Sequence, residues 1–360
     1  MSKHSVALIT ALVVLLASAL PVLASADLDA ALDYLSTQQN ADGGFGSGFS
    51  PESALGSTAD AVLAIVAAGA DLATFDQGGN TPLTYLGANA PSAATGGDMA
   101  KLILAAVAAG ENPRSLGGVD SVARLEGMIG ADGRIGGDMD TFVAHVLAVL
   151  ALKSAERPLP VETIAFITDA QQEGGGWAWD GSAETTADTN TTAFAVQALI
   201  AGGEASDSDA VSAALTYYEG IQNDDGGWPY QSPSDFGTAT DANSTAVTIQ
   251  AILASGQDPA GEAWTSSEGN MPIPALEELQ NESGAFAWQA AMPDDNLLAT
   301  VQALPALAGK PFPLATMHVG DAEAPPATLP DPGGVVLSPA MALIASGLAL
   351  AGGGLAYRRR

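Results

Sequence analysis

Four times in this chain of 360 residues a glutamine is followed six residues later by an aromatic ring, across a polar turn containing glycine. The copies are QNADGGF (Gln39 to Phe45), QQEGGGW (Gln171 to Trp177), QNDDGGW (Gln222 to Trp228) and QNESGAF (Gln280 to Phe286). Such recurrence constrains the fold more than any local propensity, because a repeated unit buries its apolar face only against its neighbours.

A second stretch recurs after the turns. It reads STADAVLAIVAAG (57–69), DMAKLILAAVAAG (98–110), TFVAHVLAVLALK (141–153), TTAFAVQALIAGG (191–203), STAVTIQAILASG (244–256) and NLLATVQALPALA (296–308). In this register Leu63, Leu104, Leu147, Gln197, Gln250 and Gln302 are equivalent, 41, 43, 50, 53 and 52 residues apart. Apolar residues fall at helical spacing, a short polar residue stands first and glycine often ends the segment, so all six are expected helices. Each has an amphipathic helix before it, clearest at 31–38, 161–171, 210–222 and 274–280. The expected fold is all-α: an α6/α6 toroid of six helical hairpins, with small-residue helices buried on two sides inside amphipathic helices buried on one.

The glutamine-to-aromatic turn followed by a TA-x-x-x-QAL-type helix resembles the repeats of the prenyltransferase and squalene-cyclase family, the terpenoid-cyclase toroids. The resemblance runs from about Leu28 to Leu307; the second unit lacks the turn and the third carries IGADGRI (129–135) in its place. It implies a structural role for Gln39, Phe45, Gln171, Trp177, Gln222, Trp228, Gln280 and Phe286.

The cyclase branch also carries a DxDD motif at the head of one inner helix, whose middle aspartate protonates an alkene or epoxide. The matching positions here are Asp138-Met139-Asp140-Thr141, Asp188-Thr189-Asn190-Thr191 and Asp241-Ala242-Asn243-Ser244, none complete. Asp140, with Asp138 and His145 beside it, is the catalytic candidate this resemblance implies. Asp138, Asp140, Asp188, Asn190, Asp241, Asn243, Asp294 and Asp295 read first as helix caps, because short polar side chains satisfy free N–H groups at helix starts. Asp188, Asn190, Asp241, Asn243, Asp294 and Asp295 mark a candidate ligand-binding rim.

Aromatic residues make up only 6% of the chain, and most of the tryptophans belong to the turns. Phe142 and Phe194 are then the main candidates to line a cavity and stabilise a cation through their faces. The zinc of the prenyltransferase branch needs Asp, Cys and His; this chain has no cysteine and three histidines, so zinc is not expected and no metal ligands are assigned. Calcium is a weak possibility at turns such as Asn223-Asp224-Asp225-Gly226, and no cofactor is expected. Paired carboxylates in a polysaccharide-active α6/α6 enzyme form a remote alternative, with no spacing that singles out an acid and a base.

Residues 1–26 read as a signal peptide, with Lys3 before an apolar run and Ala24-Ser25-Ala26 as a cleavage site. Residues 27–311 form the expected toroid. A Pro/Ala-rich stalk follows at 312–334, then an apolar segment at 335–357 long enough to span a bilayer, then a basic cytoplasmic tail at 358–360. Leu329-Pro330-Asp331-Pro332-Gly333 resembles a cell-wall sorting signal with proline at the position of the cleaved threonine. The main domain is therefore expected outside the cell, anchored by the C-terminal helix.

Net charge is −30; without Lys3 and the three terminal arginines, seven of the eleven basic residues remain against 41 acids. This argues against nucleic acid and anionic lipid surfaces as partners of the domain, since both require cationic contacts. The reading that best fits these features is a surface-anchored, non-catalytic ligand-binding or scaffold module for a small-molecule or surface ligand; the alternative is an isoprenoid cyclase-like enzyme that uses Asp140.

Overall fold

The computed structural model describes residues 26–321 apart from positions 49 and 236. The predicted signal peptide, membrane helix and basic tail lie outside the described residues. No helix among those described is long and apolar enough to cross a membrane.

Twelve helices alternate along the described chain: α1 (Leu28–Gln38), α2 (Leu55–Ala67), α3 (Pro82–Asn89), α4 (Gly96–Ala108), α5 (Ser121–Glu126), α6 (Phe142–Ser154), α7 (Val161–Asp169), α8 (Thr189–Gly202), α9 (Asp209–Ile221), α10 (Ala242–Ala254), α11 (Pro272–Glu277) and α12 (Leu297–Leu307). The even-numbered helices pack in sequence order, α2 on α4, then α6, α8, α10 and α12, and α12 returns to α2, closing a ring. Odd-numbered helices lie outside it; α7, for example, packs on both α6 and α8.

The division follows from side-chain chemistry. In α10 every residue from Ala242 to Ile252 is buried, whereas α9 buries only Val211, Ala214, Leu215 and Tyr218, one stripe at helical spacing. Alanine recurs throughout α2, α4 and α6, and such short side chains let neighbouring inner helices approach closely. Helix starts are capped locally: Thr95 with Asp98 and Thr81 with Thr84 form capping boxes, and Asp188, Asp241 and Asn296 each accept an N–H three residues on.

The expected register needs correction in two units. Thr141 and Asn296 are the N-caps of α6 and α12, equivalent to Asp188 and Asp241 and not to Thr191 and Ser244. Leu147 and Gln302 are therefore out of register with Gln197 and Gln250 by three residues. A shift of three moves a residue only part of a turn around the helix, so the apolar pattern alone matches nearly as well in either register.

Two further features depart from expectation. A short antiparallel hairpin, β1 (Phe286–Gln289) with β2 (Met292–Asn296), precedes α12. The segment after α12, placed at the start of the stalk by its composition, folds back on the ring: Phe312 and Met317 pack on the core, Val319 is buried, and Met317 N donates to Ser154 O at 2.7 Å.

Candidate functional site

The four glutamine turns share one geometry. Each amide Nε2 donates to the carbonyl of the glycine four residues on and to a carbonyl of the next outer segment: Gln39 to Phe75 O (3.1 Å), Gln171 to Ala210 O (2.8 Å), Gln222 to Trp264 O (3.0 Å) and Gln280 to Asp27 O (2.8 Å). The last of these joins the sixth unit to the first. The backbone N–H of each aromatic finds a threonine on its own inner helix: Phe45 on Thr58, Trp177 on Thr192, Trp228 on Thr245 and Phe286 on Thr300, at 2.9–3.0 Å. The indole N–H groups of Trp177 and Trp228 donate to Ile167 O and Tyr218 O, so neither buried ring leaves a donor unpaired.

The residue after each glutamine was not singled out from the sequence, although QN, QQ, QN and QN recur there. Its amide clamps the loop that leads to the inner helix: Asn40 on Pro51 O, Gln172 on Ser182 O and Thr185 O, Asn223 on Thr238 O, and Asn281 on Pro293 O.

His145 occupies the threonine position of the third unit, where isoleucines replace the glutamine and the aromatic. Its Nδ1 accepts the Ile135 N–H at 2.9 Å, and its Nε2 lies 3.2 Å from Thr163 O on the next outer helix. With Nδ1 an acceptor, Nε2 carries the proton and donates. One imidazole thus supplies both the acceptor that threonine provides elsewhere and the unit-to-unit bond that glutamine provides. Burial drives its pKa down to about 4, against the opposing bond to Thr163.

Asp140 is 8% exposed and bound on every side: Oδ2 accepts from Gly96 N (2.9 Å) and Gly137 N (2.8 Å), and Oδ1 from Gly97 N (3.1 Å). It caps the neighbouring inner helix α4, not its own, and Arg134 holds its backbone carbonyl. Asp138 and Met139 beside it are exposed.

Asp188 and Asp241 are buried caps with matching contacts. Asp188 accepts from Thr191 N and Thr191 Oγ1, both at 2.7 Å; Asp241 accepts from Ser244 N (2.8 Å) and Ser244 Oγ (2.9 Å). Burial pushes both carboxyls up to about 6, against N–H bonds that include Trp179 for Asp188 and Tyr230 for Asp241. Asn243 Nδ2 donates to Gln302 Oε1 at 2.7 Å across to α12, while Asn190 Oδ1 is buried without a partner. Asp294 and Asp295 are exposed on β2, and Asp295 accepts from Asn281 and Ser283; the cap of α12 is Asn296 instead.

All six inner helices line a central cavity of about 200 Å³. Its walls are mainly Leu63, Leu104, Leu147, Val247 and Val301, with Asp60 and Lys101 paired at 2.7 Å. Phe194 lines it as expected, but Phe142 packs on His145 and Phe166 instead. The second ring is Phe312, from the segment after α12, stacked on Phe194 with centroids 6.5 Å apart. Gln197 Oε1 accepts the Phe312 N–H (2.7 Å) and Gln250 Nε2 donates to Lys310 O (2.8 Å), so two glutamines fasten this segment to the inner helices.

Among the described residues no group of three or more His, Cys, Asp or Glu is placed to hold a metal. In the Asn223–Gly226 turn, Asp225 Oδ1 is engaged by Gly227 N and Thr240 Oγ1, and the Asp224 carbonyl by Ser266 and Asn270.

A closed ring of six inner helices, flanked outside by six more and stitched by recurring amides, defines an α/α toroid. The chain resembles the prenyltransferase and squalene-cyclase repeat family: a model described as squalene-hopene cyclase C-terminal domain matches residues 132–293, and one described as prenyltransferase alpha-alpha toroid domain matches residues 6–83. Among solved structures, a variant of the type II terpene cyclase MstE from Scytonema, bound to geranylgeranyl dihydroxybenzoate, is similar at a TM-score of 0.55 and 13% identity, over 78% of this chain and 95% of that one. The apo form of that enzyme is similar at 0.54 and 13%, over 78% and 96%. A protein from Actinoplanes is similar at 0.54 and 15%, over 78% and 98%. At these identities the likeness is one of fold. No curated protein matches the sequence.

Proposed function

We propose that this protein is an exported toroid, anchored in the membrane by its C-terminal helix, that binds a small-molecule or surface ligand without transforming it. The observation that carries this reading is the central cavity: about 200 Å³, narrowed by the chain's own Phe312, which lines it beside Phe194. Sites that enclose an organic ligand of moderate size run from about 300 to 1,000 Å³. Two rings and an internally neutralised Asp60–Lys101 pair line it, in place of an aromatic wall and a free acid. Asp140, the residue a cyclase of this family would use, has its carboxylate oxygens engaged by three backbone N–H groups. The ligand site in this reading is the end of the ring where inner helices begin, around Asp188, Asn190, Asp241 and Asn243.

The second reading, an isoprenoid cyclase using Asp140, is favoured by the match to the squalene-hopene cyclase domain, which spans the Asp138–Thr141 segment. Incubation with squalene and with geranylgeranyl-bearing substrates, followed by mass spectrometry, separates the two. The expected result is unchanged substrate. Conversion that disappears in Asp140→Asn would replace the binding reading with the enzymatic one.

A further inference from the structure

A second aromatic recurs two residues after the scaffold ring in three consecutive units: Trp179 after Trp177, Tyr230 after Trp228 and Trp288 after Phe286. The scaffold rings are fully buried, but Trp179 is 49% exposed, Tyr230 44% exposed, and Trp288 half-buried. Trp179 and Tyr230 stand on loops, and Trp288 on the β1–β2 hairpin, that lead into inner helices, so topology puts them at the same end of the ring. Those loops are bonded side by side. Thr189 N and Oγ1 donate to Tyr230 O and Pro229 O, Gln231 Nε2 donates to Thr186 O, and Gln289 Nε2 reaches Ala239 O at 3.5 Å. The buried carboxylates of Asp188 and Asp241 hold the N–H groups of Trp179 and Tyr230, which fixes the backbone under each ring.

Three observations bear on the ligand. Among the described residues no ring contact joins the three aromatics, so they stand as separate platforms on neighbouring loops and do not close into a cage. Beside Trp288 lies a cavity of about 250 Å³, mainly apolar, lined by Ser47, Gly48, Asn243, Asn296 and Leu298. The charge is equally specific: no lysine, arginine or histidine occurs between Arg157 and Lys310, the stretch that supplies all three loops. Partly exposed flat rings on neighbouring cation-free loops suit a chain of sugar rings, whose C–H faces stack on aromatics and whose hydroxyls donate to carbonyls and carboxylates. The lack of cations disfavours an anionic chain.

We propose, resting on the binding reading above, that the Trp179–Tyr230–Trp288 line is a binding surface for a neutral polysaccharide strand. The test is titration of the full-length protein, in a detergent without a sugar headgroup, with neutral hexasaccharides of β-linked glucose, β-linked N-acetylglucosamine and mannose, followed by tryptophan fluorescence and calorimetry. At least one probe should bind saturably, and hexagalacturonate should bind far less well. Trp179→Ala, Tyr230→Ala and Trp288→Ala should each weaken binding by about tenfold with unchanged melting, while Tyr230→Trp retains it. Absence of saturation with every neutral probe would overturn the proposal, as would equal affinity in the triple alanine variant. Binding of hexalysine or of phosphatidylcholine vesicles through the same rings, in place of sugar, would also overturn it but leave the binding reading intact. Conversion of squalene would instead remove the binding reading.

Discussion

His145 and Asp140 show how a residue's neighbours, more than its type, set its role. Burial drives the His145 pKa down to about 4, and both ring nitrogens are engaged with backbone groups, so the imidazole is a structural link and not a base poised near neutrality. His145→Thr should keep the bond to Ile135 N–H and lose the one to Thr163, at a cost of about 1–3 kcal/mol. His145 is held near 4 in the folded state against an ordinary 6.5, so its contribution is present above about 6.5 and is lost as pH falls through 4. Denaturant titrations of the variant should lack that loss. Asp188 and Asp241 act in the opposite sense. With folded values of about 6 against an ordinary 3.8, they favour the folded state below about 3.8 and lose this advantage as pH rises to 6. Asp188→Asn and Asp241→Asn retain a capping oxygen and remove the buried charge. The Nδ2 group cannot accept the remaining N–H and O–H donors, a cost that does not vary with pH, so the expected signature is that each variant gains on the parent by about 3 kcal/mol at most between pH 4 and pH 7; urea midpoints at the two pH values measure it.

Each turn works as a joint between neighbouring units, and the tightest joint closes the ring. Gly284 has φ +87°, and a Cβ there would lie 2.1 Å from Ala30 O on α1. Gly269 has the same φ with nothing within 4 Å of its Cβ position. Both Gly→Ala changes meet the backbone penalty of a left-handed conformation, but only Gly284→Ala must also push two units apart. It should cost about 2–4 kcal/mol more than Gly269→Ala, read as the difference in unfolding free energy. The repeated glutamine, its glycine and its aromatic were all visible in the sequence because they recur at fixed spacing. The clamping amide that follows the glutamine recurred as plainly, but its partners lie ten or more residues away in loops of variable length. The register of α6 and α12 was harder to see, because shifting a small-residue apolar helix by three leaves much of its apolar face in place.

Across the whole molecule, five of the seven basic residues of the domain are spent on internal ties: Lys101 on Asp60, Arg114 on Asp120, Arg157 on Glu126, and Arg124 and Arg134 on backbone carbonyls. These all fall between α4 and the start of α7, which leaves the later units acidic and without cations. The segment after α12 that narrows the lumen is a second whole-molecule feature. Phe312→Ala should open the cavity beside Phe194, lower stability by about 2–4 kcal/mol and increase fluorescence of an apolar dye such as ANS. An unchanged melting temperature together with unchanged dye uptake would mean that Phe312 does not narrow the lumen.

The sequence alone determined that six helical units would form and that inner helices would be the more apolar, because periodicity and turn chemistry are local properties repeated along the chain. It also located Asp140, Asp188 and Asp241 at or beside the starts of inner helices, though not Asp294 and Asp295, which lie on β2. Only the tertiary structure decided what those acids do, since Asp140 caps a helix 44 residues upstream, and Asp188 and Asp241 fasten loops from their own units. It also decided the size of the lumen. That depends on Phe312, whose composition assigns it to a stalk and whose packing against Phe194 and Gln197 makes it part of the domain. Such outcomes rest on contacts between residues distant in sequence, which a local pattern cannot encode.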